Sequence, residues 1–299
     1  MAQIKLSLGT YGLDNLVHGD MTKVIDIVKI ADDLGFDQVV VTDTLLMTDK
    51  TDHYPFGEFP DPVDKPFFEP LTTLAVIAGA TRYIRLATGV IAAPLRPAVL
   101  LAKTAATLDQ LSQGRLDLGV GMGWQSVEYE AVGIPYDRRG ARLDDQLRAC
   151  KVLWKDSPAS FSSGTVSFDK VYCRPGPYQQ GGIPIWFGVA PTEANCRRIA
   201  ELGVGWIPSG DDFPKLVDGI RNIRAAFVKA GRDPSELQVR SGGAVTFGDD
   251  GSPTTETFAQ LERAMEAGVT HLEVWPAFMC NSVEDLKPCL EKIVKIKGD

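Results

Sequence analysis

The sequence predicts an α/β fold closed into a (β/α)8 barrel of the TIM type, with an insertion between the fourth and fifth strands. Two observations predict it. A helix–glycine–strand junction recurs at widely separated points, and eight strand–helix pairs can be laid end to end along the 299 residues. That length suits one barrel without requiring a second domain, so residues 1–299 read as a single unit.

The junction first occurs where helical periodicity through Val24, Ile27, Val28, Ala31 and Leu34 meets Gly35 and then the β-rich run Gln38-Val39-Val40-Val41. It returns at Leu202-Gly203 before Val204-Gly205-Trp206-Ile207, and at Ala267-Gly268 before His271-Leu272-Glu273-Val274. A variant stands at Gln113-Gly114 before Leu116-Asp117-Leu118. Glycine in that place implies a left-handed helix C-cap, a conformation only glycine adopts at little cost. The apolar run after it implies a strand buried on both faces of a parallel sheet.

On this grammar strands fall near 4–9, 37–42, 84–90, 115–121, 184–188, 204–207, 238–245 and 271–275. Helices fall near 21–34, 69–80, 97–111, 138–155, 192–202, 214–230, 255–267 and 283–297. Each helix keeps one apolar stripe, as in Leu101, Ala105 and Leu108 of the third, Leu143, Leu147, Cys150 and Trp154 of the fourth, and Leu286, Leu290 and Ile293 of the last. The same alternation also permits an open doubly wound sheet. Two connections exceed a minimal barrel. Residues 43–68 follow the second strand, and residues 156–183 follow the fourth helix, where the stretch from Ser160 to Phe168 reads as a hairpin around Gly164. Long segments of this kind serve as lids or binding loops.

Composition narrows the class. Hydrophobic residues at 44% give enough apolar material for a large core. A net charge of −8, from 31 basic and 39 acidic side chains, argues against nucleic acid and anionic membrane as partners, since both repel it. Cys150, Cys173, Cys196, Cys280 and Cys289 contain no CxxC pair and read as buried, reduced thiols of a cytoplasmic protein, not as a disulfide framework or a zinc site. The opening run MAQIKLSLGTYGLD lacks a signal-peptide pattern, and no apolar stretch has the length to cross a bilayer.

The motifs in the middle of the chain carry a resemblance. The run Arg85-Leu86-Ala87-Thr88-Gly89-Val90, then Pro94-Leu95-Arg96, then Leu101 to Asp109, resembles the luciferase-like oxidoreductases. So do Gly114-Arg115-Leu116-Asp117-Leu118-Gly119-Val120-Gly121-Met122-Gly123-Trp124, Glu128, Arg138-Arg139-Gly140, Phe67-Phe68-Glu69-Pro70-Leu71, Val166-Ser167-Phe168 and Ile183-Pro184-Ile185-Trp186-Phe187-Gly188. The likeness runs from about residue 35 to 207, more loosely to both ends, and is nearest the branch that uses the deazaflavin coenzyme F420. It implies a barrel with its cofactor in the mouth formed by the C-terminal strand ends, a small-molecule substrate, and a homodimer.

On that resemblance Asp43, ending the second strand, lies near the cofactor ring, although the next residue, often His in the F420 branch, is Thr44. Thr88, Gly89 and Val90 form a strand-end bulge with a cis peptide bond at Gly89–Val90 against the ring. Gly121, Met122 and Gly123 let the ligand approach backbone closely, and Trp124 stacks on the ring or lines the substrate pocket. Glu128 acts in the site or orients the loop. Gly188, Val189, Ala190 and Thr192, with Arg139, hold the phosphate at a helix start, where Pro191 removes one donor.

Among the histidines, His53 beside Tyr54 is the proton-transfer candidate, because an imidazole titrates near neutral pH. His18 is a second loop histidine, and His271 stands at the wrong end of its strand for chemistry. Phe56, Phe59, Trp124 and Trp275 are the aromatic candidates for the substrate pocket. The expected activity is hydride transfer between F420 and a small organic substrate. An FMN-dependent monooxygenase is the first alternative, disfavoured because Gly140 stands where several flavin-using relatives carry Tyr. A non-catalytic flavin- or deazaflavin-binding protein is the second. A lysine- or carboxylate-based aldolase or isomerase fits less well, since Lys103 and Lys151 fall on helices. No metal cluster or GxSxG motif is present.

Overall fold

A computed structural model of the chain describes residues 3–51, 54–55, 57–210, 212–243, 245–246, 248 and 253–297. Its centre is a ring of parallel strands: β1 (Lys5–Gly9), β2 (Gln38–Val41), β3 (Arg85–Thr88), β4 (Leu116–Gly121), β5 (Ile185–Phe187), β6 (Gly205–Trp206), β7 (Gln238–Gly242) and β8 (His271–Val274). Pairing runs β3-β2-β1-β8-β7-β6-β5-β4, and β4 then pairs back onto β3 through Leu86↔Leu116 and Ala87↔Asp117. That last pairing closes the barrel and excludes the open doubly wound sheet.

Around the ring lie α1 (Lys23–Asp33), α2 (Pro70–Ala80), α3 (Ala98–Leu111), α4 (Arg139–Lys155), α5 (Glu193–Leu202), α6 (Phe213–Lys229), α7 (Thr255–Ala267) and α8 (Val283–Val294). Their starts are set by local chemistry. Glu69, Thr192, Asp212, Thr254 and Ser282 each accept a backbone N–H three residues on, and Pro70 occupies the first turn of α2. The apolar stripes read from the sequence, including Leu143, Leu147, Cys150 and Trp154, are buried. Among the described residues no helix is long and apolar enough to cross a membrane, and the five cysteines are buried and unpaired.

The insertion before β5 holds the expected hairpin, Ala159–Ser162 against Ser167–Val171. Two expectations need correction. Gly35, Gly114 and Gly268 are left-handed, with φ of 84°, 84° and 112°, but Gly203 has φ −114° and is extended. Glycine is needed there for space and not for its φ: a Cβ would stand 2.7 Å from the Phe187 ring and 3.1 Å from the Ile185 carbonyl. The third strand is also not continuous over 84–90. It stops at Thr88 and resumes as Ile91–Ala92, which pairs with the end of β4.

The barrel interior is polar at mid-height. Gln38 Nε2 donates to Asp117 Oδ2 (2.7 Å), and Arg85 grips the same carboxylate with two bonds of 2.8 and 2.7 Å. Arg240, fully enclosed, donates to Gln38 Oε1 (2.8 Å) and lies 3.0 Å from Glu273 Oε2. His271, at the opening of β8, packs edge-on against Trp186. Burial, reinforced by the charges of Lys5, Arg240 and Arg85, pushes its imidazole down to about 3, so it stays neutral and takes no part in proton transfer at ordinary pH.

Candidate active site

Three strand ends meet on the floor of the mouth. The Gly89–Val90 peptide bond is cis, as the resemblance implies. The Val90 side chain lies between the ends of β4 and β5: a Cβ on Gly121 would fall 2.7 Å from Val90 Cγ2, and one on Gly188 would fall 2.8 Å from Val90 Cγ1. Gly89 itself has no room for a side chain, because Val40 Cγ1 would lie 2.2 Å away. The structure thus brings Thr88, Gly89, Val90, Gly121 and Gly188 together, and the glycines are required by close approach. Gly123 instead needs its positive φ of 69° to turn the chain out of β4. Thr88 Oγ1 donates to the Gly119 carbonyl at 2.6 Å and locks β3 to β4 beneath the floor.

Asp43 stands at the mouth, but its carboxylate is taken. It receives two bonds from Arg96 (2.7 and 2.9 Å) and one from the Ala92 N–H (3.0 Å), and its side chain is only 2% exposed. It therefore ties the end of β2 to the segment that follows the cis bond. Arg96, missed as a partner in the sequence, also reaches Glu69 at 3.1 Å. The only sequence signal for this pair was the Pro94-Leu95-Arg96 motif itself.

Glu128 lies on a short helix, Ser126–Ala131, and is buried. Its Oε1 accepts the Leu45 N–H at 2.8 Å, while Gln125 Nε2 donates to the Leu46 carbonyl at 2.8 Å. These contacts fix the start of the 43–68 loop, so Glu128 orients the loop. Burial raises its carboxyl above the usual 4.5, and the Asp43 charge adds to this, against two backbone donors. A raised folded value means that the stability it contributes is full below pH 4.5 and is lost as pH rises through the raised value. Glu128→Gln keeps an acceptor for Leu45 and is expected to remove that slope. Melting midpoints from acid to neutral pH check this, and an unchanged slope would refute it.

Trp124 does not stand alone. Its ring meets Tyr54 edge-on at 5.2 Å and Phe59 at 6.0 Å, which folds the 43–68 loop over the mouth. The loop's other end is held by a cluster that sequence reading missed. Lys65, its side chain 6% exposed, pairs with Asp61 (2.8 Å) and Asp14 (3.4 Å), and Tyr11 donates to Asp61. Burial and that carboxylate push the Tyr11 phenol up, so it stays protonated. His53 and Phe56 lie outside the described residues. His18 is exposed in the loop after β1. Trp275 is half-buried at the end of β8.

The mouth continues to a basic edge. Helix α4 starts without a side-chain cap, at Arg138 with φ 60°. Arg139 stacks 4.0 Å over Tyr136, and its Nε is buried without a hydrogen-bond partner among the described residues. Across from it Thr192 caps α5 by accepting from Asn195 N–H, while the Val189 and Ala190 carbonyls turn inward to Trp206 and Asn195. Arg198 bridges the two helices, donating to Asp144 and to the Gly140 carbonyl. The buried Arg139 Nε without a partner among the described residues and the start of α4 without a side-chain cap stand together at this edge. Among the described residues no group of His, Cys, Asp and Glu could hold a metal ion.

The closed barrel with its glycine floor places the chain in a class that comparison with known proteins identifies. The profile of the luciferase-like monooxygenase family matches residues 4–282, and the chain belongs to that family. An uncharacterized protein of Mycobacterium tuberculosis is 38% identical over 167 residues, covering 55% of this chain and 58% of its own length. The chain therefore matches little more than half the length of that relative. The oxygenase component of a flavin-dependent trigonelline monooxygenase from Acinetobacter baylyi is 36% identical over 133 residues, 44% of this chain and 36% of that protein. Two solved structures share the fold. They are a monooxygenase from Streptomyces bottropensis (TM-score 0.77, 20% identity, 98% of both chains) and a coenzyme F420 dependent tetrahydromethanopterin reductase from Methanopyrus kandleri (TM-score 0.73, 15% identity, 98% of both chains).

Proposed function

We propose that the protein transfers hydride between coenzyme F420 and a small organic substrate. The observation that supports this is the glycine floor at Gly89, Gly121 and Gly188 together with the start of α4, which has no side-chain cap and where Arg139 Nε is buried without a partner among the described residues. The floor suits a planar ring and the helix start suits a phosphate. When bound, the deazaflavin supplies the ring carbon that carries the hydride. Val90 backs the ring, Arg139 and the first amides of α4 hold the phosphate, and the Tyr54, Phe59 and Trp124 cluster keeps water out. Gly140 supports F420 over FMN. It leaves the start of α4 bare where several flavin-using relatives carry Tyr. The likeness to a flavin-dependent oxygenase component favours a second reading, an FMN monooxygenase.

Fluorescence titration of the cofactor-free protein with F420 and with FMN separates them. F420 is expected to bind tightly and FMN weakly, and Arg139→Met is expected to weaken F420 about tenfold or more, the effect of one charged hydrogen bond. Preference for FMN would overturn the assignment, and binding of neither would overturn the site. As a further part of this reading the protein is a homodimer. Val76 on α2 and Val99, Leu100 and Leu111 on α3 are all at least half exposed, apolar side chains better covered than left in water. Light scattering is expected to give twice 32.5 kDa, and Leu100→Glu one chain.

A further inference from the structure

A buried cation lies on the interior side of the glycine floor. Arg240 on β7 is 1% exposed, and its side chain reaches across the barrel to β3. Its Nη2 donates to the Thr88 carbonyl at 3.4 Å and stands 3.4 Å from where a Cβ on Gly89 would be. Gly119 makes room for that carbonyl, since a Cβ there would come within 2.0 Å of its oxygen. Three further strands fix the guanidinium. Gln38 on β2 accepts from Nη1 at 2.8 Å, Glu273 on β8 sets Oε2 3.0 Å from Nε, and the Trp186 ring on β5 lies 5.7 Å from Cζ. The Nε contact is one of charge, out of line for a hydrogen bond. Asp117, the carboxylate on the other side of Gln38, is matched separately by two bonds from Arg85, of 2.8 and 2.7 Å. Arg240 and Glu273 are therefore a pair of their own, and its cation bonds to the strand that carries the floor. Arginine keeps its proton even when enclosed.

We propose that Arg240 is a positioning residue for the cofactor floor: it holds the Thr88 carbonyl from inside the barrel, and its charge, balanced by Glu273, sets how strongly the site prefers a reduced ring to an oxidised one. Reduction adds electrons to the ring, and a cation held beneath it in a low-dielectric interior favours that form. Glu273 opposes the effect from the far side of the guanidinium. The two roles separate by chemistry. The planar fork reaches Gln38 and Thr88 at once, which a lysine ammonium does not, whereas the charge is common to both side chains. The inference rests on the proposed seat of the ring over Gly89, Gly121 and Gly188, but not on which cofactor takes it.

The test is anaerobic equilibrium dialysis with oxidised and dithionite-reduced F420, and with FMN in parallel, read as the ratio of the two dissociation constants. Arg240→Gln is expected to lower the preference for the reduced form about tenfold, and Glu273→Gln to raise it about tenfold. The double variant, which removes both charges, is expected within about threefold of wild type. A purely structural role would weaken both forms alike and give no opposite signs. Because Arg240→Gln leaves Glu273 buried without its cation and the chain can fail to fold, Arg240→Lys serves as a second probe. It is expected to keep the ratio within about threefold while weakening both forms by the same factor, as the floor loses its support. An unchanged ratio in Glu273→Gln, shifts of the same sign in the two single variants, or Arg240→Lys with wild-type affinity for both forms would each overturn the proposal. The expected pattern seen with FMN in place of F420 would uphold it while sinking the cofactor assignment. F420 bound with ratios that no variant moves would sink it and leave that assignment standing, and binding of neither cofactor would sink both.

Discussion

Gly119→Ala is expected to be among the most damaging single-methyl additions in the molecule. Its Cβ would stand 2.0 Å from the Thr88 carbonyl oxygen. That neighbour is backbone, so no rotamer change clears it, and the strands at fault are β3 and β4, whose pairing closes the barrel. Ordinary overpacking costs about 1–3 kcal/mol. Here separation of the two strands also breaks the Thr88 Oγ1 to Gly119 bond of 2.6 Å, so the loss is expected at roughly 3 kcal/mol or more, with the melting midpoint down by several degrees. Gly79→Ala in α2 is the control. Nothing lies within 4 Å of its Cβ position, and a helical glycine replaced by alanine gains up to about 1 kcal/mol. Equal midpoints for the two variants would refute the account of β3 and β4.

Asp43→Ala carries the second large effect. It removes two of the hydrogen bonds to Arg96 and leaves that guanidinium, 12% exposed, with Glu69 as its remaining carboxylate. Breaking a buried pair from one side costs about 3–5 kcal/mol, because the other charge stays buried without compensation. The same change frees the Ala92 N–H, which Asp43 holds at 3.0 Å just past the cis bond. Loss of cofactor binding is therefore expected together with the drop in denaturation midpoint. Asp43→Asn keeps the shape without the charge and is expected to fall between. A variant within about 1 kcal/mol of wild type with full cofactor affinity would show that Asp43 neither holds the floor nor matters to it.

Much of the site was legible because glycine and strand end are both local signals. Thr88-Gly89-Val90, Gly121 and Gly188 were readable as places of close approach, and the structure sets all of them around one valine. Thr192 was readable as a cap for the same reason, since a hydroxyl three residues before a backbone N–H is a local geometry. Asp43 was readable as a mouth residue but not as the partner of Arg96, 53 positions on. Glu128 was readable as belonging to the site, while its actual task depends on Leu45, 83 positions away. The Tyr11, Asp14, Asp61 and Lys65 cluster carried no signal, because each residue alone looks like an ordinary loop side chain.

The sequence by itself determined the alternating strands and helices and their order, because periodicity, caps and glycine stops act over a few residues and survive without knowledge of neighbours; closure into a barrel over an open sheet was decided by the pairing of β4 on β3. It erred where contacts between elements decide the backbone, as in the third strand, which breaks after Thr88, and at Gly203, where glycine serves close approach of Phe187 and not a left-handed cap. Only the tertiary structure decided which carboxylate answers which cation. Hydrogen bonds and ion pairs fall off within an ångström or so of misplacement, and those distances are set by closure of β4 on β3, a contact no local stretch of the chain encodes.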